Sequence, residues 1–350
     1  MDCKLEIIPR TLCFKRPAGT SRGTYTDRKV WYLRLTSSEY PGRTGIGECA
    51  PLPKLSCDDL PDYEQILARI CSNIENHGGT IDWVELEKYP SMAFGLQTAF
   101  KHFRADSLAF EDTAFSRGEQ GIPINGLIWM GDREYMFTQI KEKIEKGFRC
   151  IKLKIGAINF EEELDLLRYI RQQFTAQEIV LRVDANGAFP PSDALEKLKR
   201  LSDLELHSIE QPIRAGNWEE MSKLTRITPL PIALDEELIG YNTAGEQKRL
   251  LEAIRPQYII IKPSLHGNAD SWVALAKEAG IDWWATSALE SNIGLNAIAQ
   301  WAGLYDNPLP QGLGTGLLFT QNVKLPLGIV KDELWYFPNE SCTPDINKME

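Results

Sequence analysis

The chain has 350 residues, of which 43% are hydrophobic and 25% are charged, and its formal net charge is -10. This length predicts one large domain and a smaller one, and the composition is typical of a globular enzyme. The acidic balance argues against a nucleic-acid partner, because phosphate binding needs a basic face and the sequence has no Lys/Arg cluster of that kind.

The cysteines and the first residues indicate the compartment. Seven cysteines are scattered without a Cys-x-x-Cys pair, which predicts reduced, mostly buried thiols. The start, MDCKLEIIPR, lacks the basic residues, apolar run and cleavage site of a signal peptide. No stretch is long and apolar enough to span a bilayer. We therefore expect a cytoplasmic protein with no membrane contact, and an oligomer remains open.

The first part of the chain, residues 1–118, predicts a small α+β domain. Two antiparallel strands and two helices are expected from apolar alternation and from helical spacing, at 5–14, 29–37, 63–76 and 91–112. Between the two strands, residues 15–24 are polar, charged and rich in glycine. This segment predicts a loop that could act as a lid.

A strand-then-helix alternation fills residues 119–316. Eight strands are expected to begin at near-regular intervals, near Pro123, Cys150, Glu178, His207, Pro231, Tyr258, Asp282 and Pro308. Eight such units predict a closed (β/α)8 barrel of the TIM type. An open doubly wound sheet is disfavoured, because no Gly-x-Gly-x-x-Gly follows an early strand. The tail, residues 317–350, is expected to pack back on the first domain.

Three carboxylates stand at the ends of three successive apolar strands. They are Asp184 in VLRVDAN, Glu210 in HSIEQP and Asp235 in PIALDE. A single acid at a strand end often only caps the next helix, but three at the same end of one barrel converge. Carboxylate oxygens without nitrogen or sulfur ligands favour Mg²⁺, with Mn²⁺ as a substitute, over zinc or copper. The pattern predicts a divalent-metal site.

Lysines lie on the strands that flank these acids. Lys152 and Lys154 share one face of the second strand, Lys262 ends the sixth, and Arg182 lies one layer below Asp184. A lysine with the ordinary pKa of about 10.4 is a poor base, but a nearby metal ion and further cations disfavour its ammonium form. The arrangement predicts Lys154 as the base that removes a proton next to a carboxylate, with the opposing lysine stabilising the resulting enediolate.

Other catalytic patterns are scarce. No Gly-x-Ser-x-Gly elbow and no His-Glu-x-x-His motif occurs. The four histidines are interpreted as surface or structural residues, because His207, which begins a barrel strand, lies at the wrong end for the site. The glycine cluster GLGTG at residues 312–316 follows the eighth unit, where barrels often bind phosphate or carboxylate groups, although a tight turn explains it equally well.

As a set, these motifs resemble the muconate-lactonizing subgroup of the enolase superfamily over nearly the whole chain. The shared pattern is Lys-x-Lys, Asp-Ala-Asn, Glu-Gln-Pro, Asp-Glu and Lys-Pro on the second to sixth strands. The resemblance implies a modified barrel with an N-terminal α+β capping domain that the C-terminal tail completes. It also implies roles for seven residues: magnesium ligands at Asp184, Glu210 and Asp235, lysines flanking the substrate at Lys154 and Lys262, and partners of the ligands at Asn186 and Glu236. For the last two, simple loop hydrogen bonding is an equally good interpretation.

Residues outside the shared set bear on the substrate. Dipeptide epimerases of this subgroup carry Asp-x-Asp on the eighth strand, where this chain has Gly-Leu-Gly at 312–314, which argues against an amino-acid or dipeptide substrate. The segments NGLIW on the first strand and SALES on the seventh resemble the o-succinylbenzoate synthase family of menaquinone biosynthesis. That resemblance implies loss of water from 2-succinyl-6-hydroxy-2,4-cyclohexadiene-1-carboxylate. Candidate contacts to this carboxylate substrate are Lys152, Arg182, Ser287, Ser291 and Gly312.

Two alternatives remain open. A racemase of N-acylated amino acids would use Lys154 and Lys262 as opposed bases, so the shared motifs do not exclude it. A non-catalytic binder of aromatic diacids would keep the same fold, but the intact lysines and acids disfavour that class.

Overall fold

Two long antiparallel strands begin the chain in the computed structural model, which describes residues 2–20, 23–129, 131–156, 158–340, 342 and 344–347. They are β1 (Lys4–Thr20) and β2 (Gly23–Thr36), and β3 (Gly45–Cys49) pairs antiparallel with β2. The predicted loop at 15–24 is wrong over most of its length. Residues 15–20 and 23–24 continue the two strands past an irregularity between Cys13 and Ala18, and residues 21 and 22 lie outside the described residues.

Three helices cover this sheet and form, with it, the capping domain. They are α1 (Tyr63–Asn76), α2 (Trp83–Leu86) and α3 (Pro90–Ala105). The first helix has the predicted bounds and buries Leu67, Ile70 and Ile74. The second predicted helix is wrong at its end: α3 stops at Ala105 because Asp106 takes a left-handed conformation, with a φ of 53°, which terminates helical hydrogen bonding.

In the part of the chain that the structure describes, seven parallel strands build the barrel, each hydrogen-bonded to the next in chain order. Their bounds are β5 (Gly126–Ile128), β6 (Cys150–Lys154), β7 (Val180–Asp184), β8 (Ser208–Glu210), β9 (Ile232–Leu234), β10 (Tyr258–Ile261) and β11 (Asp282–Ala285). The helices on the outside are α4 (Arg133–Glu145), α5 (Phe160–Gln173), α6 (Pro191–Ser202), α7 (Trp218–Ile227), α8 (Ala244–Ile254), α9 (Ala269–Ala279) and α10 (Asn292–Ala302).

The ring closes at the eighth unit without a regular strand in the described structure. Gln311 bridges Ile124 and Gly312 bridges Thr286, both in parallel orientation. Backbone hydrogen bonds from Gly312 N to Ala285 O and from Asn125 N to Gln311 O, 2.7 and 2.9 Å long, join this segment to the last and first barrel strands. The predicted eighth strand near Pro308 is therefore only a short bridged segment.

The C-terminal tail contacts both parts of the molecule. Its hairpin, β12 (Leu327–Val330) and β13 (Glu333–Tyr336), pairs with β4 (Ile122–Pro123). The expected strand at Pro123 thus belongs to this small sheet, and the first barrel strand starts at Gly126. Further upstream, Lys15 N donates to Leu318 O over 2.8 Å. The result is the predicted fold, an α/β barrel with an N-terminal α+β capping domain that the tail contacts, whereas the predicted domain boundaries stay a prediction.

Two further expectations concern the burial of the cysteines and the presence of a membrane-spanning helix. Four of the seven cysteines, Cys3, Cys49, Cys71 and Cys150, are buried thiols. Among the described residues, no helix combines the length and the apolar character that crossing a membrane requires.

We expect Gly95→Ala to destabilise the capping domain. A Cβ at Gly95 would lie 2.9 Å from the carbonyl carbon of Glu48 and would overlap the sulfur of Cys49, so α3 would have to move off β3 at a cost of about 1–3 kcal/mol. Thermal denaturation measures the loss. Gly245→Ala in α8 is the matched control, because nothing lies within 4 Å of its Cβ position and alanine favours a helix. An equal Tm for both variants would contradict this packing.

Candidate active site

A cavity opens where the carboxyl ends of the barrel strands face the capping domain. It contains about 810 Å³ of empty space, including the part open to solvent. The charged and amide side chains of its lining are Lys152, Lys154, Asn125, Asp184, Asn186, Glu210, Asp235, Glu236 and Lys262. The apolar and aromatic lining comprises Tyr25, Leu52, Leu55, Leu127, Trp129, Ala288 and Leu289. A cavity in which charged groups converge opposite an apolar wall is typical of a small-molecule site.

Strand register brings the polar side chains to one level. Lys154 on β6 pairs with Asp184 on β7, which in turn pairs with Glu210 on β8. Alternating residues point away from the barrel interior, so Leu153 and Val183 pack against the helices and are at most 1% exposed. The predicted convergence of acids and lysines therefore follows from parallel pairing in register.

Two lysines of β6 contact the first two acids. Lys152 Nζ donates to Asp184 Oδ2 over 3.1 Å and to Glu210 Oε2 over 2.7 Å. Lys154 Nζ lies 3.0 Å from Asp184 Oδ2 and 2.7 Å from Asn186 Oδ1. Lys152 thus lies between two carboxylates.

The third acid and the third lysine form a separate pair. Lys262 Nζ is 2.5 Å from Asp235 Oδ2, and both side chains are buried. Asn186 Nδ2 donates to Glu236 Oε1 over 3.0 Å, while its carbonyl oxygen accepts from Lys154. Asn186 therefore connects the base predicted on β6 with the acid next to Asp235.

Burial and like charges govern the protonation of these groups. Burial together with the charges of Asp184 and Asp235 raises the pKa of Glu210 well above its usual range. Burial also opposes the charge on Lys152, but Glu210 and Asp184 outweigh it and raise the pKa of that lysine. The pKa of Asp184 is lowered because Lys154 and Lys152 outweigh its burial. The ion pairs with the lysines therefore do not neutralise all of the buried negative charge of the site.

The lysine on the opposite side keeps its proton. Burial disfavours the ammonium of Lys262, but the charges of Asp235 and Glu236 outweigh it and raise its pKa. Burial and the charge of Asp235 raise the pKa of Glu236 to about 7. Lys262 is therefore suited to electrostatic stabilisation.

The donor set fits an oxygen-coordinated divalent cation. Within the described residues, no group of three or more His, Cys, Asp or Glu side chains is assembled as a metal centre. The ammonium groups of Lys152 and Lys262 contact the three acids. However, Asp235 Oδ1 is buried without a hydrogen-bond partner among the described residues. The mutual repulsion of Asp184, Glu210 and Asp235 is also what a hard cation would relieve.

Two of the candidate substrate contacts do not line the cavity. The guanidinium of Arg182 lies 3.9 Å from the ring centre of Trp284 and donates to Pro310 O over 2.7 Å, so it supports the barrel interior near the eighth segment. Ser291 is fully buried and donates to Glu48 of the capping domain over 2.5 Å. The prediction that these two residues contact a substrate does not agree with their positions, whereas Lys152, Ser287 and Gly312 do line the cavity.

Sequence reasoning missed much of the apolar lining. Trp129 follows the first barrel strand, so the strand-end argument applied to the acids could have found it. Tyr25, Leu52 and Leu55 come from the capping domain, and their approach depends on how the two parts dock. Asn125 belongs to the segment NGLIW. Its amide oxygen is buried without a hydrogen-bond partner in the described structure, and nothing in the sequence predicts this burial.

Family models match both parts of the chain. Residues 136–325 match the model described as enolase C-terminal domain-like, and residues 21–103 match that of the MenC N-terminal domain. The chain is 44% identical to an o-succinylbenzoate synthase from Desulfotalea psychrophila, with 91% of this chain and 95% of that protein covered. The chain belongs to the o-succinylbenzoate synthase family of the enolase superfamily.

Solved structures of this family have the same fold. The crystal structure of MenC from Desulfotalea psychrophila matches with a TM-score of 0.83 and 38% identity, over 96% of this chain and all of that one. The o-succinylbenzoate synthase from Thermosynechococcus elongatus, solved with magnesium in its active site, matches with a TM-score of 0.72 and 24% identity, over 88% of this chain and 92% of that one.

We expect Mg²⁺ to raise the Tm of the protein and expect Asp235→Asn to abolish that rise. A ligand that binds only the folded state adds about 2.7 kcal/mol at a hundredfold excess over its Kd, and the variant removes one carboxylate of the cluster. Glu237→Gln is the matched control, because Glu237 is equally buried but contacts Gln211 and Gly216 outside the cavity. Differential scanning fluorimetry with and without a chelator measures the shift. Equal shifts in both variants would contradict the metal site.

Proposed function

We propose that this chain catalyses the loss of water from 2-succinyl-6-hydroxy-2,4-cyclohexadiene-1-carboxylate to give o-succinylbenzoate, a step of menaquinone biosynthesis, in the cytoplasm. The relation to the Desulfotalea psychrophila synthase supports the substrate. The observation that carries the reaction class is the position of Lys154 and Lys262 in one cavity, on β6 and after β10, with the three acids on the strands between them.

We assign the proton transfers to Lys154. Its Nζ lies at the edge of the acid cluster, with Asn186 Oδ1 and Asp184 Oδ2 as its partners. In the neutral form it removes the proton from the ring carbon that carries the carboxylate, and the C–H electrons move into that carboxylate as an enediolate. The same ammonium then gives the proton to the departing hydroxyl group, the C–O bond breaks, and water leaves as the ring becomes aromatic.

The other charged residues stabilise the developing negative charge. Magnesium, for which manganese is a possible substitute, would be held by Asp184, Glu210 and Asp235 and would supply positive charge to the substrate carboxylate. Lys262 remains an ammonium beside Asp235 and stabilises the intermediate without transferring a proton.

The remaining lining fits the uncharged ring and the succinyl tail. Tyr25, Leu127 and Trp129 provide an apolar surface for the ring and keep water away from it. Ser287 Oγ already accepts from Leu289 N over 3.0 Å and from Thr315 Oγ1 over 2.8 Å. Its own proton is therefore directed elsewhere, and we propose that it reaches the succinyl carboxylate.

Racemisation of N-acylated amino acids is the second candidate function. The same opposed lysines support it, because a two-base racemase needs one base on each face of the substrate. The 44% identity to the o-succinylbenzoate synthase from Desulfotalea psychrophila favours the synthase.

We expect Lys154→Ala and Lys262→Ala, made separately, each to lower kcat by a factor of about 10² to 10⁴, because one variant loses the acid/base group and the other loses a charge that stabilises the intermediate. Loss of the substrate's diene absorbance measures turnover. Lys197→Ala is the matched control, since Lys197 lies on α6 over the ring of Phe189, 4.6 Å from its centre and outside the cavity. Substantial turnover in either active-site variant would refute the assigned role.

A further inference from the structure

The segment after the seventh barrel strand is a strained part of the cavity wall. Thr286, Ser287, Ala288 and Leu289 line the cavity, and Leu289 has a φ of 66°. A non-glycine residue in this left-handed region is strained and persists only where its surroundings hold it. Residues 286–291, called the wall segment below, therefore need outside support.

Glu290 provides the first support. It is fully buried, accepts from Ala288 N over 2.8 Å and also accepts a hydrogen bond from Ser264 Oγ. Ser264 follows Lys262 by two residues. Glu290 thus joins the wall segment to the loop that carries the second lysine.

Glu48 provides the second support, and it comes from the capping domain. Its carboxylate accepts from Ser291 N over 2.9 Å, from Ser291 Oγ over 2.5 Å and from Gly294 N over 2.8 Å. These donors belong to the first turn of α10, where a negative charge is favoured by the helix dipole. A capping-domain side chain therefore caps a barrel helix and fixes the end of the wall segment.

The strand geometry of β3 explains how Glu48 reaches the barrel. Its neighbours Gly47 and Cys49 face α3, because a Cβ at Gly47 would overlap the backbone of Gly95 and Cys49 Sγ lies against Gly95. Alternation of side chains along the strand directs Glu48 to the opposite face. The packing of β3 on α3 thus fixes the carboxylate that contacts Ser291.

A buried cation accompanies these two acids. Arg28 on β2 is 1% exposed; burial lowers its pKa, and the charges of Glu290 and Glu48 oppose that effect. Burial raises the pKa of Glu48, while the hydrogen bonds from Ser291 lower it. Removing one member of such a buried group is strongly destabilising, because an uncompensated charge remains.

We propose that Glu48 is a positioning residue, through which docking of the capping domain holds the wall segment in its substrate-binding conformation. This inference rests on the proposed function, because the wall segment is taken to contact the succinyl part of the substrate. The same docking brings Tyr25, Leu52 and Leu55 into the cavity. Both halves of the binding surface would then form together.

The test compares Ser291→Ala with Ser91→Ala. Ser91 is the matched control, because it is equally buried in the first turn of α3 and donates from N and Oγ to the buried Asp58, over 2.9 and 2.6 Å. We expect Ser291→Ala to raise KM about tenfold while kcat changes less than about threefold, because the wall segment binds substrate away from the lysines. We expect Ser91→Ala to lower the Tm by a similar amount but to leave KM unchanged. We expect Ser291→Thr to retain most of the substrate affinity that Ser291→Ala loses.

Two further measurements keep the outcomes distinct. Amide hydrogen exchange within residues 286–291 should accelerate in Ser291→Ala and in Glu48→Gln, but not in Ser91→Ala, and it requires no substrate. If the wild-type protein fails to convert the cyclohexadiene, the proposed function is wrong while the exchange data still decide the role of Glu48. If exchange in the wall segment and KM are unaltered in Ser291→Ala, or altered equally in Ser91→Ala, the positioning role is overturned.

Discussion

The structure depends on buried like charges held together at one end of a barrel. Asp184, Glu210 and Asp235 are each at most 3% exposed. The folded protein tolerates their mutual repulsion only because positively charged lysines contact them, namely Lys152, Lys154 and Lys262. A buried charge without a partner costs several kcal/mol, so the acids and lysines must be placed by rigid strands in fixed register. A divalent cation bound to the three acids would relieve this repulsion, and in the proposed mechanism that cation and Lys262 would stabilise the enediolate.

The capping domain completes the site from the other side. Its hairpin and the loop after β3 supply apolar side chains, while Glu48 supports the opposite wall through Ser291 and the first turn of α10. The barrel alone would present charged groups to open water, where their interactions are screened. Docking of the two parts therefore supplies the shape of the cavity and part of its apolar wall.

Periodic features of the fold were predictable, and features set by tertiary contacts were not. The strands that carry Lys154, Asp184 and Glu210 follow from apolar runs ending in charged residues, and their convergence follows from parallel register. The loop predicted at 15–24 was wrong at residues 15–20 and 23–24, because backbone pairing between β1 and β2 continues there and a polar, glycine-rich sequence does not signal it. Arg182 and Ser291 lie outside the cavity lining. Arg182 packs on Trp284 within the barrel, and the contact of Ser291 with Glu48 depends on how the two domains dock. The eighth strand was overestimated because Gln311 and Gly312 close the ring with only a few hydrogen bonds.

The most direct test of the account is the ultraviolet absorbance of the cyclohexadiene substrate mixed with purified protein and Mg²⁺, with a chelator control. The account predicts rapid loss of the diene that stops when the chelator is added. An unchanged diene spectrum, together with exchange of the α-proton of an N-succinylamino acid into heavy water, would contradict it and favour the racemase.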